Sequence, residues 1–323
     1  MTSEDIGEPA ISSRQALSRR YLISQTTLAY LALVAGILGL SFSALFVRWS
    51  GVPGTVISFY RMGLAAVFML PFALRPTLPF FSGRLKWKWL LFPLLGGLFT
   101  ALDHATWSTS IGLTRIANAT LLNNIAPLWV ALVALFVFKE RLGKSFWPGL
   151  ALMLVGATAV FGSDLLAEPR LGSGDLIALS SSLFYAGYFL TTQRARRHWD
   201  TLPYVWLVAV AAAAVLLVMN LAGGQSLSGF PPQTYLSFIG VALASQIIGY
   251  FSVGYALGHL PAAVVAPTMI AQPVLTAVLA MPLAREFLPP LQWLGTLLVL
   301  AGIYLVNRSS VKSNPIPIEI ESE

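Results

Sequence analysis

The chain has 323 residues, of which 56% are hydrophobic and only 10% are Asp, Glu, Lys or Arg, against roughly 25% charged residues in an ordinary soluble domain. Its formal charge is +7, and it holds no cysteine, which excludes disulfides, thiolate nucleophiles and Cys-ligated metal. With a mean hydropathy of +0.74, this is the composition of an integral membrane protein and not of a soluble enzyme.

Residues 1–26 are polar, carry Arg14, Arg19 and Arg20, and read as a cytoplasmic tail. The apolar run from Thr27 to Val47 is longer than the core of a signal peptide and lacks a small-residue cleavage site, so it is expected to remain as a first membrane span. A bilayer core of about 30 Å takes roughly 20 apolar residues per helix. On that measure ten segments follow one another: 27–47, 54–74, 88–112, 116–138, 145–162, 174–193, 202–222, 233–258, 261–283 and 290–307. The links are short and marked by Gly or Pro, as in GVPG, LGSG and FPPQ. Only the two tails, NPIPIEIESE most clearly, have the character of disordered chain. The expected fold class is an all-α polytopic membrane protein of ten transmembrane helices.

Lys and Arg set the orientation. With the N-terminus in the cytoplasm, the inside set is Arg14, Arg19, Arg20, Arg75, Arg84, Lys86, Lys88, Lys139, Arg141, Lys144, Arg194, Arg196, Arg197, Arg308 and Lys312, fifteen residues. The outside set is Arg48, Arg115, Arg170 and Arg285, four residues, and Arg61 falls within a span. The asymmetry predicts both termini in the cytoplasm, with a bacterial inner membrane as the expected location. The basic balance therefore reflects topology, and no nucleic-acid partner is expected.

The stretch from Ile116, IANATLLNNIAPLWVALVALFVFKERLGKSFWPGLALMLVG, has an echo 146 residues later. At that offset Gly112 matches Gly258, Pro127 matches Pro273, Glu140 matches Glu286, Trp147 matches Trp293, Gly149 matches Gly295 and Gly156 matches Gly302. Shared Leu or Ala would be cheap coincidence; Pro, Glu, Trp and Gly in register are not. The expected organisation is a tail over 1–26, a five-helix unit over 27–162, an external linker over 163–173, a second five-helix unit over 174–307 and a tail over 308–323. Five is odd, so the second unit must enter the membrane from the opposite side. Such inverted repeats are a common architecture of secondary transporters, with the site near the midplane between the halves.

Polar residues inside the spans cluster at one depth. Asp103 and His104 lie about 13 Å below the outer end of the third span, at 1.5 Å per residue. Arg61 in the second span and Asn123 and Asn124 in the fourth lie at a similar depth. An ionised group in the bilayer costs on the order of 2.5–3.5 kcal/mol on insertion scales, so these groups must face the bundle interior and find partners. Arg61 and Asp103 either line a substrate cavity or pin two helices together as a pair. His104 is a candidate proton carrier, as is Asp103, with a packing histidine as the plainer alternative.

Pro127 supplies no N–H to the Asn123 carbonyl, and Pro273 does the same to Met269. Paired proline-interrupted helices in corresponding positions point to a binding region, although either proline alone could simply bend a helix. The second half offers Gln246 and Tyr250 on the eighth span, Gln272 on the ninth, and Tyr185 and Tyr188 three residues apart on the sixth. With Trp107, one turn after Asp103, these could line an aromatic and amide-rich cavity. Trp147 and Trp293 read as interfacial anchors. Glu140 and Glu286 read as surface groups that stabilise a following helix or pair with nearby cations.

The pattern TSIGLTRIANATLLNNIAPLWVALVALFVFKERL, followed by GLALMLVGA, resembles the EamA family of the drug/metabolite transporter superfamily, as does the mid-helix arginine in SFYRMGLAAVFML. APTMIAQPVLTAVLAMPLAREFL looks like the same module again. The resemblance runs from about residue 27 to 307. It implies ten helices in two inverted five-helix repeats around a central cavity, and secondary transport by alternating access, often export of amino acids or other small metabolites. Carried over by position, the helix-2 arginine is Arg61, the helix-4 proline is Pro127 and the loop glutamate is Glu140. The second half departs at Phe287, where the first has Arg141.

The function expected from these readings is transport of a small organic solute, with the lipid bilayer and possible coupling protons as further partners and no cofactor. Efflux of drug-like or cationic compounds is the alternative substrate class. An intramembrane enzyme would need a nucleophile-and-base set or a metal cluster, and the three scattered histidines and the adjacent Asp103–His104 pair make a poor one. A non-transporting scaffold fits badly with ten spans and almost no extramembrane domain. No ATP-binding motif is present.

Overall fold

A computed structural model of the chain describes residues 11–73, 87–111, 113–114, 116–161, 172–284 and 290–310. All regular structure among these residues is helical. In chain order the α-helices are α1 (Ile11–Ser41), α2 (Ser43–Ser50), α3 (Gly54–Ala73), α4 (Leu91–Ile111), α5 (Ile116–Asn123), α6 (Ala126–Phe136), α7 (Phe146–Phe161), α8 (Ser173–Ala195), α9 (Thr201–Ala222), α10 (Pro232–Val241), α11 (Phe251–Leu257), α12 (Ala262–Thr268), α13 (Ala271–Ala284) and α14 (Pro290–Ser310). A π-helical segment, Ala242–Tyr250, joins α10 to α11.

The N-terminal tail does not stay disordered up to residue 26: α1 is already helical from Ile11. Arg75, Arg84, Lys86, Arg115, Arg170, Arg285, Glu286, Phe287 and Lys312, most of the linker 163–173 and all of the C-terminal tail beyond Ser310 lie outside the described residues. Where α2 ends, Gly51 takes φ 64°, the left-handed conformation that lets a helix terminate without a Cβ penalty.

Among the described residues, five helical stretches are long and apolar enough to cross a membrane: Gln25–Val47, Gly54–Ala73, Thr201–Ala222, Pro232–Leu257 and Pro290–Ser309. Leu121–Phe136, Phe146–Val160 and Ala262–Thr276 are shorter apolar helices. α4 and α8 are as long but carry polar groups, Asp103 and His104 on one and three consecutive serines, Ser180, Ser181 and Ser182, on the other. Those two helices pack along each other, which turns the polar groups away from lipid.

Elements of the first half recur 146 residues on: α4 corresponds to α10 through α11, α3 to α9, and α7 to α14. Packing respects that exchange. α4 lies on α8, and its counterpart, the π segment with α11, lies on α1. α3 packs against α9, and α7 against α14, each element on its own counterpart.

The α7–α14 seam is built from glycine. A Cβ placed on Gly156 would lie 2.6 Å from the Gly295 carbonyl oxygen, and one on Gly295 would lie 2.6 Å from that of Gly156. Gly149 and Gly302 meet in the same reciprocal way, at 2.9 and 2.6 Å. Between helices in lipid there is little hydrophobic driving force, so close backbone approach and interhelical hydrogen bonds carry association. Asn220 Nδ2 donates to Thr55 O at 3.0 Å, Trp206 Nε1 to Ala66 O at 3.0 Å, and Gln292 Nε2 to Val160 O at 3.1 Å. Trp147 and Trp293, at matching positions of α7 and α14, are exposed.

Candidate functional site

Two helix breaks lie at corresponding places in the two halves. The helix that begins at Ile116 stops at Asn123 and resumes at Ala126, ahead of Pro127, and the one that begins at Ala262 stops at Thr268 and resumes at Ala271, ahead of Pro273. Proline removes an N–H donor from each following turn. Non-helical backbone at membrane depth is tolerated only where protein or a cavity receives it.

Here a cavity does. It has a volume of about 120 Å³, room for several water molecules. Both halves of the chain contribute. Ser43, Ser58, Arg61, Asp103, His104, Trp107, Asn123 and Asn124 come from the first, and Tyr185, Tyr250, Gln272 and Pro273 from the second. Leu40, Val47, Gly54, Ile57, Val241 and Met269 complete the lining.

Arg61 and Asp103 share this cavity, and both are buried. Arg61 Nη1 donates to Ser43 Oγ at a long 3.4 Å, and its guanidinium lies 5.0 Å from the centre of the Tyr250 ring, within cation–π range. Nε and Nη2 of Arg61 are buried and have no hydrogen-bond partner. Asp103 takes its hydrogen bond from an amide: Asn123 Nδ2 donates to Asp103 Oδ1 at 3.0 Å and to Ser181 Oγ at 2.8 Å. Ser58 Oγ and His104 Nδ1 are 3.5 Å apart, while His104 Nε2 is buried without a partner. Gln272 is tied to α1, its Nε2 donating to Leu40 O at 3.4 Å and its carbonyl accepting from Ser41 Oγ at 3.1 Å.

Three residues singled out from the sequence stand off the cavity lining. Tyr188 is fully buried behind it, its ring edge-on to Tyr250 at 5.2 Å. Tyr185 and Tyr188 are three residues apart, which on an α-helix leaves them about 60° from alignment, enough for one to reach the cavity and the other the helix interface. Gln246 is fully buried, and neither its Nε2 nor its Oε1 has a partner. It belongs to the π-helical segment that also holds Tyr250, and of the two Tyr250 alone lines the cavity. Pro127 is buried in the first turn of α6, one turn beyond the lining asparagines. Conversely, Ser43 and Ser58 line the cavity and were not singled out. Ser58 lies three residues before Arg61 on α3, about 60° from it around the helix, which could have flagged it as a neighbour.

Glu140 lies in the loop after α6, beside Gln193, Arg194 and Arg197. Burial pushes its carboxyl above the usual range, and the Gln193 hydrogen bond and the two arginines pull it back.

Comparison with known proteins decides the family. The sequence profile of the EamA-like transporter family matches residues 26–162 and again residues 172–308. The chain belongs to the EamA-like transporter family. As an EamA-like transporter it is a multi-pass membrane protein and not an enzyme, and its partners are a small-molecule substrate and membrane lipid. Among curated relatives of this EamA-like chain is a "Probable amino-acid metabolite efflux pump" of Salmonella typhimurium, 26% identical, with the match covering 84% of this chain and 92% of that one. A protein of the same description from Escherichia coli is 24% identical over the same shares. A "Probable terminal-alkyne amino-acid exporter" of Streptantibioticus cattleyicolor is 25% identical, covering 60% of this chain and 65% of that one. A protein known from a crystal structure shares the fold with a TM-score of 0.71 at 18% identity, over 88% of this chain and 98% of that chain.

Proposed function

We propose that this protein exports amino acids or related small metabolites across a bacterial inner membrane, by alternating access between two inverted five-helix repeats that together make ten spans. The observation that carries the reading is one central cavity, lined by both halves, that holds a buried arginine and a buried aspartate. Ionisable groups inside a membrane bundle mark substrate or ion pathways. The reciprocal packing of matching helices and the twofold profile match support the repeat, and the names of the relatives support the direction and the substrate class.

With both termini in the cytoplasm, as the Lys and Arg distribution favours, Val47, Gly54, Trp107 and Val241 belong to the outer halves of their spans. The cavity then faces outward. Its inner side is closed by the Tyr188–Tyr250 contact, by Trp129 Nε1 donating to Ser182 Oγ at 2.8 Å and by Ala262 N–H donating to Gln193 Oε1 at 3.0 Å. In this reading Arg61 holds an anionic group of the substrate, Asp103 and the asparagines hold its polar remainder, and His104 or Asp103 carries a coupling proton.

Flux of labelled amino acids and small metabolites in proteoliposomes, with and without an imposed pH gradient, tests the proposal. Flux above protein-free liposomes, lost in Arg61→Ala protein that still inserts and melts cooperatively, is the expected result. Unchanged flux in that variant would remove Arg61 from the site, and absence of flux for every compound would remove the transporter reading.

A further inference from the structure

We infer that the cavity takes a small α-amino acid in its zwitterionic form with an uncharged, apolar side chain, the carboxylate on Arg61 and the ammonium at Asp103. The inference rests on the transport reading above and adds the chemistry of the cargo.

The carboxylate end follows from which donors of Arg61 are unused. Nη1 is engaged by Ser43, and Tyr250 lies against the guanidinium. Nε and Nη2, both buried and without a partner in hydrogen-bonding geometry, form one edge of the guanidinium, with the Tyr250 hydroxyl nearby. That edge presents two parallel N–H groups, the fork that grips both oxygens of a carboxylate. A buried guanidinium with an empty edge is costly, and a bound carboxylate would remove the cost.

The ammonium end follows from Asp103. Asn123 engages Oδ1 alone, and its second amide hydrogen is committed to Ser181, so the amide cannot turn to cover Oδ2 as well. A carboxylate oxygen beside a cavity calls for a donor, and an ammonium brings three.

The remaining lining fixes the side chain. Among the described residues of the lining, Arg61 is the one Arg or Lys and Asp103 the one Asp or Glu, so a cargo with a further charge meets no third ionised partner among them. Leu40, Val47, Ile57, Val241 and Met269 supply an apolar wall for that side chain. A dicarboxylate, a diamine and a cationic drug each leave one pole of the site unsatisfied.

Counterflow in proteoliposomes loaded with leucine tests this on the unmodified protein. External leucine should exchange. Leucinamide, which lacks the carboxylate, and 4-methylpentanoate, which lacks the ammonium, should compete more weakly by on the order of tenfold to a hundredfold, the worth of a charge-assisted hydrogen-bonded contact. Glutamate and lysine should compete as poorly. If leucinamide or 4-methylpentanoate matched leucine, or if lysine or glutamate exchanged better, the two-pole assignment would be overturned while transport stood. If preloaded leucine did not exchange but another solute of the metabolite panel did, the cargo class would be wrong and the transporter reading intact. If nothing moved in either assay, both readings would fall together.

Discussion

Asn123 holds Asp103 through a single amide hydrogen at 3.0 Å, across the gap between α5 and α4. An uncharged donor keeps the carboxylate in position without cancelling its charge, which an arginine partner would do. The arrangement leaves Arg61 and Asp103 as separate poles of one cavity rather than a closed ion pair.

Asn123→Ala should therefore weaken leucine exchange by about tenfold, since a hydrogen bond to a charged group is worth roughly 1.5–3 kcal/mol and the carboxylate would lose its fixed orientation. Asp103→Asn should cost more, because it removes the charge itself. Apparent affinities from counterflow check both, and equal affinity in wild type and Asn123→Ala would show that the amide does not position the acid.

Gly156→Leu should unfold the α7–α14 seam or melt far below wild type, because a Cβ there meets the Gly295 carbonyl at 2.6 Å and backbone cannot step aside. The control is Gly63→Ala in α3, where nothing lies within 4 Å of the added methyl. It should be neutral or raise stability by roughly 0.5–1 kcal/mol, the helix preference of Ala over Gly. Thermal melts in detergent distinguish the two.

Gln246→Met should stabilise the protein, by on the order of 1 kcal/mol or more. It replaces two buried amide atoms that have no partner with an apolar side chain of similar volume. A lower melting temperature for the variant would mean that the amide is in fact satisfied.

Glu140 gives a pH-dependent term. Burial is the largest influence on its carboxyl and raises it above the ordinary range. The folded chain then binds this proton more tightly than the unfolded chain, so the contribution to stability is full below the ordinary carboxylate range and fades as pH rises through the raised value. Subtracting the melting curve of Glu140→Gln from that of wild type, from about pH 4 to pH 8, should leave a difference that falls toward alkaline pH. A flat difference would show that Glu140 does not titrate in this range.

Depth was legible in the sequence because a helix rises by a fixed step and a bilayer has a fixed thickness. That arithmetic placed Arg61, Asp103 and Asn123 in one layer, and the structure brings all three to one cavity. Proline chemistry likewise pointed to breaks near Asn123 and Met269, since a missing N–H is written in the residue itself. The position of Gln246 was not legible. The π register of Ala242–Tyr250 is a choice of hydrogen-bond partner, made where this segment packs on α1 at Gly36 and Gly39, and apolar spacing does not record it. Ser43 was hidden for another reason: α1 ends at Ser41 and α2 starts at Ser43, so spacing along one uninterrupted helix does not carry across.

The reciprocity of the glycine seam has a consequence for ancestry and for engineering. Gly149 and Gly295 are the same position of the repeat, as are Gly156 and Gly302, and each touches the other member's counterpart. Geometrically this is an isologous surface, the self-complementary kind that two identical chains form about a twofold axis. The seam has the geometry of a homodimer interface contained within a single polypeptide, and two separately expressed halves are expected to associate through it.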